Sequence, residues 1–551
     1  MNQKFVHKLP QDENFINHCY RMPSEFKTTV ELGDIGDVGD LVPALMMSAC
    51  AVSDLEVGND HLLDGYSWCL FAYLVGGDQK GLEIELRPVR DDEQTRLKER
   101  GACYKPVKYG LFTGKTPWWK KLFCCGRLGV LATTGRAVDR PTAHQPIYYP
   151  DRGLAVFPTT LTSPTFYVDL NVGLSVSDLN KSYFESVFKS TNKNVYTCMH
   201  PCYDYATKSL LTYTFLHSKL SKKTTVWFYT FAEGGGCEPI KFVIPHRATL
   251  HMFGFTKRYF VLFSTVLQLR RGGTGSVMCG VPIFRVLDDD FCGNLFIHLI
   301  PRDGVGATFS IDTRQKGFVY HSINCFDFEG VRSGNGGSVV VDAFVSKSNG
   351  SRESSQLELG SEPVYDNEGD AFRFHIHPFQ KNMDMKLMVS VLDSSIDFHC
   401  INPLFAGREY HNWYMVAHRR YRDIESGKIR LVESILYHLR IVPGLVNDPL
   451  SFDPETTAVD VISSTSWTDR SVYLRTPMFV PFKGDSSENE GVLFCWAYEA
   501  SQYRVGLITK LMIFTTDLKL IKSISMVPNV IPYSVHSYIH LLAEHRQIPE
   551  I

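Results

Sequence analysis

Apolar residues fall into short runs along nearly the whole chain, either alternating with polar ones or following one another directly. KFVIPH, RYFVLFSTVLQL, SVVVDAFVS, MKLMVSVLD, GVLFCWAY and GLITKLMIFT are typical. Residues two apart share one face of a strand, and these runs are rich in β-branched and aromatic side chains, so they predict strands. Between them stand turn signals: Asp204–Lys208 (DYATK), Asp312–Gly317 (DTRQKG), Asp423–Lys428 (DIESGK) and Asp517–Lys519 (DLK). An aspartate opening such a stretch satisfies nearby backbone donors, and hairpin turns are expected at all four.

Many short strands with regular punctuation point to a sandwich, a barrel or a propeller. The pattern persists over 551 residues, whereas a sandwich is exhausted after about 250, so an all-β propeller is expected. Helix is expected only at Ser177–Phe188 and Ser434–Tyr437. Lys347–Asp370 is polar and rich in Gly and Ser, a long surface loop. No shift of composition marks a boundary, which makes residues 1–551 a single domain.

Composition narrows the function. With 57 basic and 59 acidic side chains the formal charge is −2, which gives no footprint for a nucleic acid. Apolar residues at 44% and aromatics at 13% suffice for a large core. Fourteen cysteines are too few for a disulfide scaffold in a chain this long. The opening MNQKFVHKLPQDENF lacks the basic-then-apolar order of a leader, and no apolar run reaches the roughly 18–20 residues of a spanning helix. The expectation is a reducing, cytoplasmic setting with free thiols. The Asn349 sequon is then a chance match.

Several motifs dissolve on inspection. Gly114-Lys115-Thr116 lacks the earlier glycine of a phosphate loop, because Tyr109 stands there. Gly272–Gly280 has no strand-to-helix context. His375 and His377 share a strand face, an arrangement more often plain strand than metal ligand. In TCMHPCYD, Cys198 and Cys202 would need two further soft ligands for a structural zinc site, and no second CxxC or CxxxC cluster supplies them. The histidine between them is different. His200 is joined by His251 in TLHMFGFTKRYF, His321 in FVYHSINCFDF and His536 in VIPYSVHSYI, each at the edge of a strand-like run.

In these frames the chain resembles the carotenoid cleavage oxygenases, the family of animal β-carotene oxygenases and the retinal pigment epithelium isomerohydrolase. The matching residues are His61-Leu62-Leu63-Asp64-Gly65; Met199-His200-Pro201 with Asp204, Thr207 and Lys208; His251, Phe253, Thr256 and Tyr259; His321, Asn324 and Asp327; Ile401–Arg408; and Pro532, Tyr533 and His536. Six fragments in the family's order carry the resemblance nearly end to end.

The resemblance implies a seven-bladed β-propeller with a cap over one face. It implies Fe(2+) on the axis, held by His200, His251, His321 and His536. Imidazole nitrogen suits ferrous iron, and four neutral ligands leave positions for dioxygen. The implied reaction splits a conjugated carbon–carbon double bond of an apolar polyene, a carotenoid or apocarotenoid, with O2 into two carbonyl products and needs no organic cofactor. Behind the ligands the family usually places glutamates. Here the Glu before Phe-Pro-x-Ile-Asn-Pro aligns with Asp397, while Thr476 and Thr160 stand at the other two positions. A threonine hydroxyl can accept an imidazole N–H but brings no charge. The family's N-terminal Arg-Asn-Gly-Pro-Gly is replaced by Met47–Val52. Tyr109 aligns near a cavity-lining aromatic.

A substrate that lives in lipid calls for an apolar mouth. Within residues 109–130, Trp118–Gly126 (WWKKLFCCG) pairs tryptophans with lysines and with Cys124 and Cys125, the makings of a peripheral membrane contact and of acylation. Residues 261–283 offer a second candidate lip, formed by Val261–Leu269 with Gly280–Ile283. Two other readings stand beside the dioxygenase. One is an isomerohydrolase acting on retinyl esters; the other is a degenerate propeller that binds an apolar ligand without turnover.

Overall fold

The computed structural model describes residues 26–32, 41–52, 66–75, 81–88, 146–149, 154–157, 166–169, 196–218, 222–232, 238–266, 293–328, 337–346, 369–390, 394–422, 429–441, 461–469, 472–484, 487–500, 507–526 and 534–542. These residues are almost entirely strand, and they fall into seven antiparallel sheets. Most strands that follow one another within a sheet pair as neighbours, the hairpin-by-hairpin order expected from the turn signals.

One sheet closes the structure. Phe26–Glu31, Gly81–Pro88, Tyr66–Val75 and Ala44–Val52 lie side by side in that order, and the last strand among the described residues, Ser534–Leu541, completes the edge. Chain start and chain end are thereby held by one hydrogen-bonded ladder, with Ala49 opposite His536 and Ala44 opposite Leu541.

The core explains why the sheets form a ring. Tyr213 and Phe228 of one sheet pack on Phe253 and Phe260 of the next. Val261 and Ile297 meet Val341 and Phe374, Phe326 and Phe344 meet Trp413 and Met415, and Tyr414 and Val416 meet Leu493 and Phe514. Phe494 and Trp496 then pack on Leu70 and Ile84 of the closing sheet. On the other side, Ile147 and Tyr149 pack on Leu210 and Tyr229, while Tyr148 meets His540 of the closing sheet at 5.0 Å between rings. Each sheet thus has two apolar faces and needs two neighbours, which a radial arrangement supplies to all of them. This is the β-propeller expected from the spacing of the runs. Ser338–Ser346 is buried at every position, which is why SVVVDAFVS reads as a continuous apolar run instead of an alternating one.

Two local expectations are corrected. Ser434–Tyr437 is no helix: it lies in the strand Ile429–Ile441, paired on both sides. Ladders to two neighbours outweigh a helical spacing only one turn long. DTRQKG is no hairpin turn either. Phe309–Lys316 is one strand whose register slips between the pairs Asn294–Lys316 and Phe296–Asp312. Asp312 accepts from the Arg314 amide at 2.8 Å, and Arg314 sits at φ +57°. The same aspartate chemistry that closes a turn here shapes a bulge. By contrast DYATK and DLK are turns, Asp204 accepting from Ala206 and Thr207 amides at 3.0 and 3.4 Å and Leu518 adopting φ +63°.

Among the described residues no helix is long and apolar enough to cross a membrane. Residues 109–130, including Trp118–Gly126, lie outside them, as do Ser177–Phe188, 347–368 and 267–283. Gly369 and Asp370 open the strand Gly369–His377. Val261, Leu262 and Phe263 are buried at 0%, 0% and 3% exposure, so this part of the expected lip is core strand.

Candidate metal centre

The first strand of a sheet should run unbroken beside its neighbour. In six of these sheets it is interrupted or bulged, and each fault falls on or beside a residue singled out from the sequence. Tyr196–Thr197 and Cys202–Asp204 are two halves of one edge, both paired with Ser209–His217, and the gap between them holds His200. Ala248–Thr249 and Phe253–Phe255 are likewise halves of an edge on Tyr259–Val266, and the gap holds His251. Val472–Leu474 and Met478–Pro481 flank Thr476. In Phe318–Phe328 the register slips between Val319 and Ser322, around His321. In Ser394–Cys400 it slips between Ile396 and Phe398, so Asp397 is the extra residue. The closing strand slips beside His536. A regular strand alternates its side chains between two packed faces; a break or bulge re-aims one of them out of that alternation.

Three of the re-aimed histidines meet. His200 Nε2 lies 3.0 Å from His251 Nε2 and 3.3 Å from His321 Nε2. His200 is fully buried, and His321 is 8% exposed. Among the described residues this is the one group of three or more His, Cys, Asp or Glu side chains whose ligand atoms all lie within 4.8 Å of one another. A neutral imidazole carries one N–H and one lone pair, so three Nε2 atoms this close cannot all satisfy one another through hydrogen bonds. A cation taking three lone pairs resolves that conflict, and a ligand set of imidazoles without carboxylate suits iron, copper, zinc or nickel rather than magnesium or calcium. The donor set therefore fits a ferrous ion. The side chain of His536 lies outside the described residues, as do that of Asp397, all of Thr160 and all of Tyr109.

The cysteines that flank His200 stand apart from the triad. Burial pushes the Cys198 thiol well up and the Cys202 thiol up to about 12. Cys202 donates weakly to the carbonyls of His200 and Phe253, at 3.8 and 3.7 Å. His375 and His377 do share a strand face, their rings 4.6 Å apart, and they sit far along the sheet from the triad: His375 bonds Ser338 Oγ at 2.6 Å and His377 lies 3.6 Å from Asp384.

The other motif residues hold the histidine strands in place. Asn324 donates to the carbonyls of Phe405 and Arg408 at 3.1 and 2.9 Å and accepts from the Gly407 amide at 3.0 Å. It thereby locks the strand of His321 to the INPLFAGR segment. Gly407 adopts φ +78°, and a Cβ there would stand 2.6 Å from the ring of Phe255, four residues after His251. Thr256 Oγ1 accepts from the amides of Arg258 and Tyr259 at 3.1 and 2.9 Å, closing the tight turn that follows. Asp204 pairs with the nearly buried Arg302 at 2.8 Å, and Asp327 with Arg258 at 3.0 Å. Missed in the sequence was the buried fork of Arg373 on Asp342, at 2.8 and 2.6 Å, with Tyr410 donating to the same carboxylate at 2.7 Å. An aspartate and an arginine inside apolar runs were its only signal.

A cavity of about 220 Å³ adjoins His321, walled mainly by apolar side chains such as Met252, Phe255, Ile401 and Met478. Thr476 borders it, and its Oγ1 is enclosed without a hydrogen-bond partner.

Comparison with known proteins agrees with this architecture. A model of the retinal pigment epithelial membrane protein family matches residues 151–538. The chain is 28% identical over 221 residues to apocarotenoid-15,15'-oxygenase of Synechocystis sp., an alignment spanning 38% of this chain and 36% of that protein. Among solved structures, a variant of the Synechocystis apocarotenoid oxygenase superposes with a TM-score of 0.69 at 18% identity, covering 97% of this chain and 99% of that one. The cobalt-substituted form of that oxygenase gives 0.67, and a chimera of it with RPE65 gives 0.66 at 17% identity.

Proposed function

The chain belongs to the carotenoid cleavage oxygenase family, matched over well more than half its length, and from that premise we propose that it is an iron-dependent dioxygenase. Its substrate class is a carotenoid or apocarotenoid, whose conjugated double bond it splits with O2 into two aldehyde or ketone products. The observation that carries this reading is the convergence of His251 and His321 Nε2 on His200 Nε2, at 3.0 and 3.3 Å, at faults in three different inner strands. A cation taking one lone pair from each imidazole accounts for why three strands from three sheets converge here.

His200, His251 and His321, with His536 from the closing strand, are the ligands in this reading. The chemistry a bound ferrous ion supplies is the activation of dioxygen beside the double bond. The protein's part is to orient and to exclude water. Met252, Phe255 and Ile401 give the neighbouring cavity a wall that suits a hydrocarbon chain and offers water little to bond. Thr476 and Asp397 occupy faults of the same kind as the histidines, which fits a role in orienting ligand imidazoles. Residues 109–130 complete the proposal as the part that meets the membrane from which an apolar polyene must be drawn.

Two measurements on the purified full chain test the reading. Metal analysis after anaerobic reconstitution should give iron close to one per chain; no retained iron overturns it and leaves a ligand-binding propeller. Incubation with β-carotene and with an apocarotenal, followed by mass detection, should give aldehyde fragments that take up oxygen from labelled dioxygen. Release of retinol from a retinyl ester with no cleavage fragment would assign the chain to the isomerohydrolase reaction instead.

A further inference from the structure

We propose that the cavity beside the histidine triad is a holding site for dioxygen, a small chamber on the axis of the ring in which the gas collects next to the ligand imidazoles. The proposal rests on the dioxygenase reading and adds to it the place where the gaseous substrate is held.

The position of the chamber follows from its wall. Pro201 comes next after His200, Met252 after His251, Ser322 after His321, Pro477 after Thr476 and Ser537 after His536, and all five line it. Cys400, at the end of the strand Ser394–Cys400, lines it too. These residues come from six of the seven sheets. A space that meets six blades of a ring lies on its axis. One walled by the residues just past the ligands lies directly beside the metal centre.

Size decides what can reside there. The chamber measures about 220 Å³. Pockets for drug-sized ligands run to about 300–1,000 Å³, whereas an apolar cavity of about 150 Å³ stays dry and takes up xenon or benzene. The wall suits a hydrocarbon, but the volume admits only the tip of a long polyene; a small apolar molecule fits whole. Water gains little in this space. The Asn324 amide spends its donors and acceptor on Phe405, Arg408 and Gly407. The Ser322 amide and hydroxyl both donate to the Met252 sulfur, at 3.2 and 3.8 Å. Ser537 bonds Ser48 at 2.8 Å, and the Tyr205 hydroxyl accepts from the Leu541 amide at 3.1 Å. A buried water wants about two to four polar partners, and a wall of thiols, thioethers and already bonded groups is poor in them. Dioxygen has no dipole and no hydrogen-bonding group, so it loses nothing on leaving water for such a space. Pro403 and Ala406 complete the wall. Asn324 fixes their segment through its bonds to Phe405, Gly407 and Arg408, which keeps the chamber from collapsing.

Xenon, an apolar atom that scatters anomalously, is the probe. Crystals of the full chain held under xenon pressure should show an anomalous peak inside the chamber, in contact with Met252 and Met478. Ala406→Leu, which pushes a larger side chain into the space, should lose that peak. The same variant should raise the KM for dioxygen several-fold in initial-rate measurements and leave the KM for an apocarotenal where it was. No xenon in the wild-type chamber, or ordered water that xenon does not displace, overturns the proposal. So does an Ala406→Leu enzyme whose KM rises for the apocarotenal and not for dioxygen, because the chamber is then part of the polyene site. The wild-type crystal decides the matter even if the variant does not fold. Xenon seated against Met252 and Met478 in a protein that cleaves no polyene would sink the dioxygenase reading and leave the chamber as a site for another small apolar molecule.

Discussion

Gly407→Ala should cost stability and loosen the metal centre, and the structure permits the two contributions to be separated. The residue sits at φ +78°, with the new Cβ 2.6 Å from Cε2 and 3.1 Å from Cδ2 of Phe255. A left-handed conformation costs an L-residue about 1–2 kcal/mol, and overpacking a filled site costs about 1–3 kcal/mol more, for a total of about 2–5 kcal/mol. Phe255 has little room to retreat: it is 6% exposed, and the guanidinium of Arg302 lies over its ring at 5.6 Å. Unfolding entropy near 2.1 cal/mol/K per residue, summed over 551 residues, makes each kcal/mol worth about 1 °C, so the melting midpoint should fall by about 2–5 °C. Gly484→Ala is the control. Gly484 has φ +70°, and nothing lies within 4 Å of its added Cβ, so the backbone penalty stands alone and the midpoint should fall by about 1–2 °C. Because Phe255 ends the half-strand that follows His251, Gly407→Ala should also retain less iron after dialysis against a chelator, while Gly484→Ala should not. If the two alanines prove equally mild, the close packing of Gly407 on Phe255 is not what holds the His251 strand, and the reasoning fails.

Other outcomes follow from the same geometry. His321→Ala should lower metal retention and remove any rise in melting midpoint that iron gives to wild type, read by metal analysis and calorimetry. Thr476→Val removes an unpartnered hydroxyl and should leave the apoprotein as stable or about 1 kcal/mol more so, while Thr476→Glu should tighten iron binding by about 10-fold or more in a chelator competition if this position orients a ligand. Arg373→Ala strands the buried Asp342 carboxylate and should destabilise by about 3–5 kcal/mol in chemical denaturation. Acid should weaken the fold through its buried neutral histidines. Burial holds His298 down to about 3 and His438 to about 4. Unfolded histidine takes up a proton near pH 6.5, so the stability each contributes is complete above that value. It is lost as pH falls from about 6.5 towards 3–4, at roughly 1.4 kcal/mol per pH unit per histidine. His298→Gln should flatten that slope in a pH series of denaturation midpoints.

Much of this molecule is written in local pattern. Alternation and β-branched runs specify strands because a two-residue period cannot sit on a helix, and aspartate-led turns specify hairpins because their bonds close within a few residues. The frames around His200, His251, His321 and His536 single out those imidazoles from the cysteines beside them. Local pattern failed where long-range pairing overrode it: Ser434–Tyr437 is strand because two ladders flank it, and DTRQKG is a bulge because the facing strand continues past it. It was also silent on Arg373 and Asp342, whose partnership exists only across neighbouring strands. The faults in the inner strands belong to tertiary structure as well. A histidine in a strand-like run looks the same whether its strand is whole or broken, and only the packing of each sheet between two neighbours fixes where the ladder gives way. The sequence by itself singled out His200, His251, His321 and His536 as one set. Tertiary structure alone decided that residues 51 and 121 positions apart along the chain would place their nitrogens 3.0 and 3.3 Å apart, because that distance depends on the closure of a ring whose last strand comes from the other end of the chain.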